Sequence, residues 1–104
     1  WGLNRYGQLG LDNRTNMGDD SGEMDQLTGI NLGTGRTATA IDAGGWHTCA
    51  VLDDGSSKCW GDNNNGKLGI NNTTDMGDNY GEMDSLSSLI LGTGRTATVI
   101  SAGF

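Results

Sequence analysis

Ala43-Gly-Gly-Trp-His-Thr-Cys-Ala-Val-Leu52-Asp-Asp-Gly-Ser-Ser-Lys-Cys-Trp-Gly61 reads as a β-hairpin. Two short runs flank Asp53-Asp54-Gly55, and Asp-Gly in a short connection is a strong hairpin signal. A three-residue loop puts its first two residues in a type I turn. Gly55 then takes the left-handed position, where the lack of a Cβ removes the steric penalty. Leu52 faces Ser56 in that arrangement, and the register carried back sets Cys49 opposite Cys59. Directly opposed residues on antiparallel strands have close Cβ atoms, within reach of a disulfide. Turn chemistry and cysteine spacing give the same register independently.

Outside the hairpin the chain repeats itself. Trp1-Gly-x-Asn-x-x-Gly-x-Leu-Gly10 recurs from Trp60, and Met17-Gly18-Asp19 recurs at Met76-Gly77-Asp78. Gly22-Glu23-Met24-Asp25 recurs at Gly81-Glu82-Met83-Asp84, and Gly33 to Thr39 recurs at Gly92 to Thr98. Every match is offset by 59, with 27 identities over the 45 aligned positions. Self-similarity at a fixed period is the signature of a repeat architecture. It divides the chain into a first repeat, 1–59, and a second, truncated one, 60–104.

The hairpin and its continuation, Ala43-Gly-Gly-x-His-Thr-x-Ala-x-Leu-x-x-Gly55 and then Trp60-Gly-x-Asn-x-x-Gly-x-Leu-Gly69, resemble the repeat of the regulator of chromosome condensation. Repeats of that family build β-propellers, one four-stranded blade per repeat. The resemblance implies an all-β fold of about two blades, incomplete on its own. It also implies structural roles for Trp1, Gly44, His47, Thr48, Gly55 and Trp60. Plant ultraviolet photoreceptors of the family carry Gly-Trp-Arg-His-Thr. Gly45-Trp46-His47-Thr48 lacks the arginine, so light sensing is not implied.

Composition narrows the function classes. The net charge is −7, which argues against binding nucleic acid or an anionic membrane through bulk electrostatics. Nineteen glycines without a proline suit a turn-rich all-β chain. No apolar run approaches the roughly 18 residues of a membrane span.

Residues 11–29 and 70–88 read as long polar loops. They gather Asp19, Asp20, Glu23 and Asp25 in the first repeat, and Asp75, Asp78, Glu82 and Asp84 in the second. Calcium wants several oxygen ligands, which makes these carboxylates candidate ligands, although their spacing is not that of an EF-hand. The plainer reading is a solvated acidic loop, with Glu23 or Asp25 pairing Arg36. The same loops hold the sequons Asn13-Arg-Thr, Asn71-Asn-Thr and Asn72-Thr-Thr, which are candidate glycosylation sites in a secreted chain. Residues 30–43 and 89–102 read as strands around Gly-Thr-Gly-Arg, with short apolar runs at Ile30 to Leu32 and Leu89 to Leu91 and alternation over Thr37 to Ala43. Arg36 and Arg95 are expected to be structural ion-pair partners.

Two chemical readings fail on the residues themselves. Gly61-x-x-x-x-Gly66-Lys67 imitates a phosphate-binding loop, but Leu68 stands where the magnesium-binding Ser or Thr belongs. His47 and Cys49 share one face of a strand, yet a zinc site needs about four ligands and Cys49, Cys59 and His47 have no clear fourth. Large aromatics in repeats are usually buried, so Trp60 is expected to pack between blades.

The expected function is a non-catalytic, extracellular or cell-surface module that binds an unknown protein or glycan or serves as structure. No cofactor other than calcium is suggested. A nuclear exchange factor or chromatin-binding propeller is the first alternative, and a propeller hydrolase or lyase the second. About 1.8 repeats fall short of the roughly three that repeat architectures need for stability. The remaining blades are therefore expected from a longer polypeptide or from copies of the same chain, closing a ring or stacking into a filament.

Overall fold

The computed structural model describes residues 1–104. Three strands, β1 (Ala38–Ala43), β2 (His47–Leu52) and β3 (Ser57–Gly61), form one antiparallel sheet in the order β1-β2-β3. The Asp53-Asp54-Gly55 turn closes as its sequence requires. The Leu52 amide donates to the Ser56 carbonyl (2.8 Å), and Gly55 sits at φ 82°. Cys49 pairs with Cys59 and Ala50 with Lys58. β1 joins the other edge of β2, from Ala43 opposite Thr48 to Ala38 opposite Leu52, with a register shift between Ala38 and Ala40.

A fourth ladder is reduced to single bridges. Gly61 bridges Met76 and, 59 residues earlier, Gly2 bridges Met17. The remaining chain is turns and loops, with 3-10 turns at Met24–Gln26 and Asn64–Gly66 and a one-turn helix α1 (Glu82–Ser85). No helix is long and apolar enough to cross a membrane.

The structure is all-β, but one sheet forms where two were expected. Residues 30–32, 89–91 and 97–102 are not strands. The physical reason is pairing. β1 is held by β2, whereas its counterpart 97–102 has no counterpart of β2 beside it. The second-repeat segments instead lie along the first sheet. Leu89 N–H donates to the Ser57 carbonyl, Ala97 N–H to Gly55, and Ala102 N–H to the Asp42 carboxylate.

Strand alternation sorts the core into two sides. Ala50, Leu52 and Trp60 face Met83 and Leu86, with Leu32 and Met76 at the margin. Cys49 and Cys59 face Leu68, with Ile70, Leu89 and Ile100 around them. The sheet is thus covered by loops from both repeats, and β2 is its most enclosed strand.

Candidate functional site

The hairpin carries a disulfide, Cys49–Cys59, between directly opposed residues with Cα atoms 4.1 Å apart. Beside it His47 is buried, and its ring lies against Gly44. Burial, and then the nearby Lys67 ammonium, push the His47 pKa down. Its Nδ1 has no hydrogen-bond partner, while Thr48 Oγ1 donates to the Gln8 carbonyl (2.8 Å). Of the implied His-Thr structural pair, Thr48 alone makes the hydrogen bond. Lys67, the imitation phosphate-loop lysine, is tied to the Asp62 carboxylate and to the Phe104 carbonyl.

The acidic loops spend their carboxylates on their own backbone. Glu23 Oε2 accepts from the amides of Gly18, Asp19 and Asp20 at 2.8–3.1 Å. Glu82 Oε1 does the same for Gly77, Asp78 and Asn79. One cradle gives opposite pKa shifts. The backbone bonds hold Glu23 below the usual carboxylate range, whereas burial, and then Asp78 beside it, push Glu82 above it. Asp78 takes the Arg14 guanidinium (Nε at 2.9 Å), and Asp84 accepts from the Asn31 amide. No three His, Cys, Asp or Glu side chains converge as a metal-holding group. Asp19, Asp20 and Asp25 remain on the surface. Arg36 pairs neither Glu23 nor Asp25. It reaches Asp53 (3.6 Å) and Asp54 (3.1 Å) across the hairpin turn, because Gly33–Arg36 forms a turn beside that loop. No ion pair forms at Arg95.

What the structure brings together is a joint between the repeats. The buried Trp60 indole fills the space a side chain at Gly10 would need, and its Nε1 donates to the Gln8 carbonyl (3.1 Å). Gly7 packs so tightly on the Gly77–Asp78 backbone that a side chain there would collide with it. Asp12, in the left-handed conformation at φ 56°, accepts from the amides of Gly81 and Met83 and so caps α1. Arg14 to Asp78 completes the contact. Trp60 therefore packs against residues of both repeats. Its counterpart Trp1 is 81% exposed.

The sequon asparagines differ in their surroundings. Asn13 Oδ1 accepts from Asn4 Nδ2 and the Thr15 amide, and Asn72 Oδ1 from Asn63 Nδ2 and the Thr74 amide. Asn71 is exposed at φ 61°.

Sequence reasoning missed the Asp12 cap and the two glutamate cradles. A signal for the cradles was present. Asp20-x-x-Glu23 and Asn79-x-x-Glu82 have the spacing at which a carboxylate reaches back to the amides that open a turn.

Residues 38–67 match a family model described as the regulator of chromosome condensation (RCC1) repeat. That span holds all three strands and the disulfide, and it is similar to one such repeat. No curated protein matches the chain.

Proposed function

We propose that this chain, built on its RCC1-like repeat, is a non-catalytic extracellular module for binding or structure. It reads as about two blades of a propeller that further repeats complete, from the same polypeptide or from copies of it. The Cys49–Cys59 disulfide carries the proposal, because a covalent pair inside a small repeat fits an oxidising compartment. The matched loop geometry of the two repeats supports the blade reading. The use of Glu23, Glu82, Asp12 and Asp78 by neighbouring backbone or arginine supports a non-catalytic role. His47, the single histidine, is buried without a base-orienting partner at Nδ1, so no nucleophile, base and orienter come together. Calcium is not part of this proposal.

The experiment is incubation of the disulfide-bonded chain with a panel of polysaccharides and extracellular-matrix proteins, read for retention and for cleavage. Retention without release of new chain ends is the expected result. Cleavage that disappears when Glu82 is changed to Gln would contradict it.

A further inference from the structure

Both repeats close the same loop after their tryptophan. Gly7 N–H donates to the Asn4 carbonyl (3.1 Å), and Gly66 N–H to the Asn63 carbonyl (3.0 Å). Inside that loop the first repeat carries Arg5 and Tyr6, where the second has Asn64 and Asn65. The turn therefore forms without an arginine or an aromatic ring, and its geometry does not account for either.

Tyr6 meets Trp46, which lies in the connection between β1 and β2. The ring centroids are 5.6 Å apart and the planes cross at 74°, so the two rings form the walls of a corner. The Arg5 guanidinium lies over the Tyr6 ring, 5.7 Å from its centroid, and forms no ion pair. Tyr6 and Trp46 are half-buried and Arg5 is exposed. The backbone under both rings is held. The Tyr6 amide donates to Gln8 Oε1 (2.9 Å), the Gln8 carbonyl takes Thr48 and Trp60, and the Trp46 carbonyl accepts from the Asp62 amide (2.9 Å). Groups fixed in place beforehand lose little freedom on binding.

The internal joint shows that neighbouring repeats leave Arg5 and Tyr6 uncovered. The second repeat docks on the first through Gly7, Gln8, Gly10 and Asp12, and Arg5 and Tyr6 stay outside that contact. On its other side the first repeat leaves Asn64 and Asn65 exposed. A repeat docked in the same way before the first would leave their equivalents, Arg5 and Tyr6, exposed as well.

We propose that Arg5, Tyr6 and Trp46 form a binding corner for a neutral glycan of equatorially substituted pyranose rings, such as a β-glucan chain. The apolar C–H face of such a ring stacks on one aromatic plane while its edge meets the other. Tyrosine and tryptophan supply that contact area rigidly and at low entropic cost. Arg5, with five donors and no carboxylate to hold, serves the ring hydroxyls. The net charge of −7 selects a neutral sugar, because an acidic polymer would meet the repulsive field of the whole chain. The inference rests on the module reading, and it names the class of ligand and the place where it sits.

The test is electrophoresis of the disulfide-bonded chain through native gels containing hydroxyethyl cellulose, a neutral β-glucan. Retardation that grows with polysaccharide concentration is expected. Tyr6→Asn and Trp46→Ala should each weaken binding by at least about 10-fold, and Arg5→Asn by about 3-fold. Arg5→Asn and Tyr6→Asn write the second repeat's own residues into the first loop, so these variants should keep the native circular dichroism spectrum. Trp1→Ala removes an exposed aromatic outside the corner and should leave the retardation unchanged. A chain that is not retarded, or whose retardation ignores Tyr6→Asn and Trp46→Ala, overturns the inference. Binding to heparin or to a proline-rich peptide in place of the glucan also overturns it. Release of new chain ends from the glucan, with the corner variants still weakening retention, would sink the module reading and leave the corner standing. Absence of both retention and cleavage would do the reverse.

Discussion

Asn4 and Asn63, 59 residues apart, are both completely buried and hold their loops by matching hydrogen bonds. Each Nδ2 donates to the carbonyl and to the side-chain oxygen of an asparagine nine residues on, Asn13 or Asn72. Each Oδ1 accepts from the leucine amide five residues on, Leu9 or Leu68, at 2.9 Å. Asn63 adds a bond to the Thr74 carbonyl. The duplication therefore preserves one loop architecture, built around a buried amide.

Replacing either asparagine by alanine strands a leucine amide and the loop oxygens it donates to, two for Asn4 and three for Asn63. Asn63→Ala should cost about 2–3 kcal/mol, and Asn4→Ala somewhat less for want of the fourth bond. Urea unfolding of the two variants against the native chain measures both.

The two tryptophans should separate sharply. Trp60→Ala removes a fully buried ring and should cost about 3–5 kcal/mol. Trp60→Phe keeps most of the ring but loses the bond to the Gln8 carbonyl, at about 1 kcal/mol. Trp1→Ala should change the stability of the monomer by less than about 0.5 kcal/mol, because its side chain is exposed. Denaturation at a dilution where the chain is monomeric checks all three.

Reducing the disulfide, or replacing Cys49 and Cys59 together by alanine, should destabilise the chain by about 2–3 kcal/mol. The enclosed segment is short, with a sequence separation of 10, so the effect sits toward the low end for disulfides. Mass spectrometry after alkylation without reductant should find no free thiol, and thermal melts give the energy.

Acid should weaken the fold through His47 first. Its folded pKa lies below its unfolded value, so the unfolded chain takes the proton more readily. The His47 contribution is complete above the unfolded value of about 6.5 and is lost as pH falls through it. Glu82, raised by burial and by Asp78, acts the opposite way and gains as pH drops. Glu23 and Asp54, both lowered, add losses only in the carboxylate range. His47→Gln should therefore flatten the stability slope between about pH 7 and 5 and leave the steeper acid limb intact. Denaturation at fixed pH steps reads the slope.

Local features were legible and distant ones were not. The hairpin register follows from Asp53-Asp54-Gly55 and two cysteines, all within one turn of chain, so nothing remote could shift it. The burial of Trp60 follows from its size and its place in a repeat. What it packs against does not, because Gln8 and Gly10 lie 50 or more positions away and carry no mark of contact. The acidic loops were opaque for a related reason. Composition shows carboxylates, but only the backbone path shows that Glu23 and Glu82 close on their own amides. The unformed strands at 30–32, 89–91 and 97–102 have suitable residues, yet a strand exists only where a partner edge is present.

Hydrogen exchange at amide resolution, at monomeric dilution, tests most directly that the loops of the two repeats fold alike and dock as one body. The Leu9 and Leu68 amides, held by Asn4 and Asn63, and the Gly81 and Met83 amides, held by Asp12 across the joint, should all be protected along with β2 and β3. Gly22 and Met24 should exchange freely. Protection confined to the β2–β3 hairpin, with Leu9, Gly81 and Met83 exchanging at free-chain rates, would contradict the account.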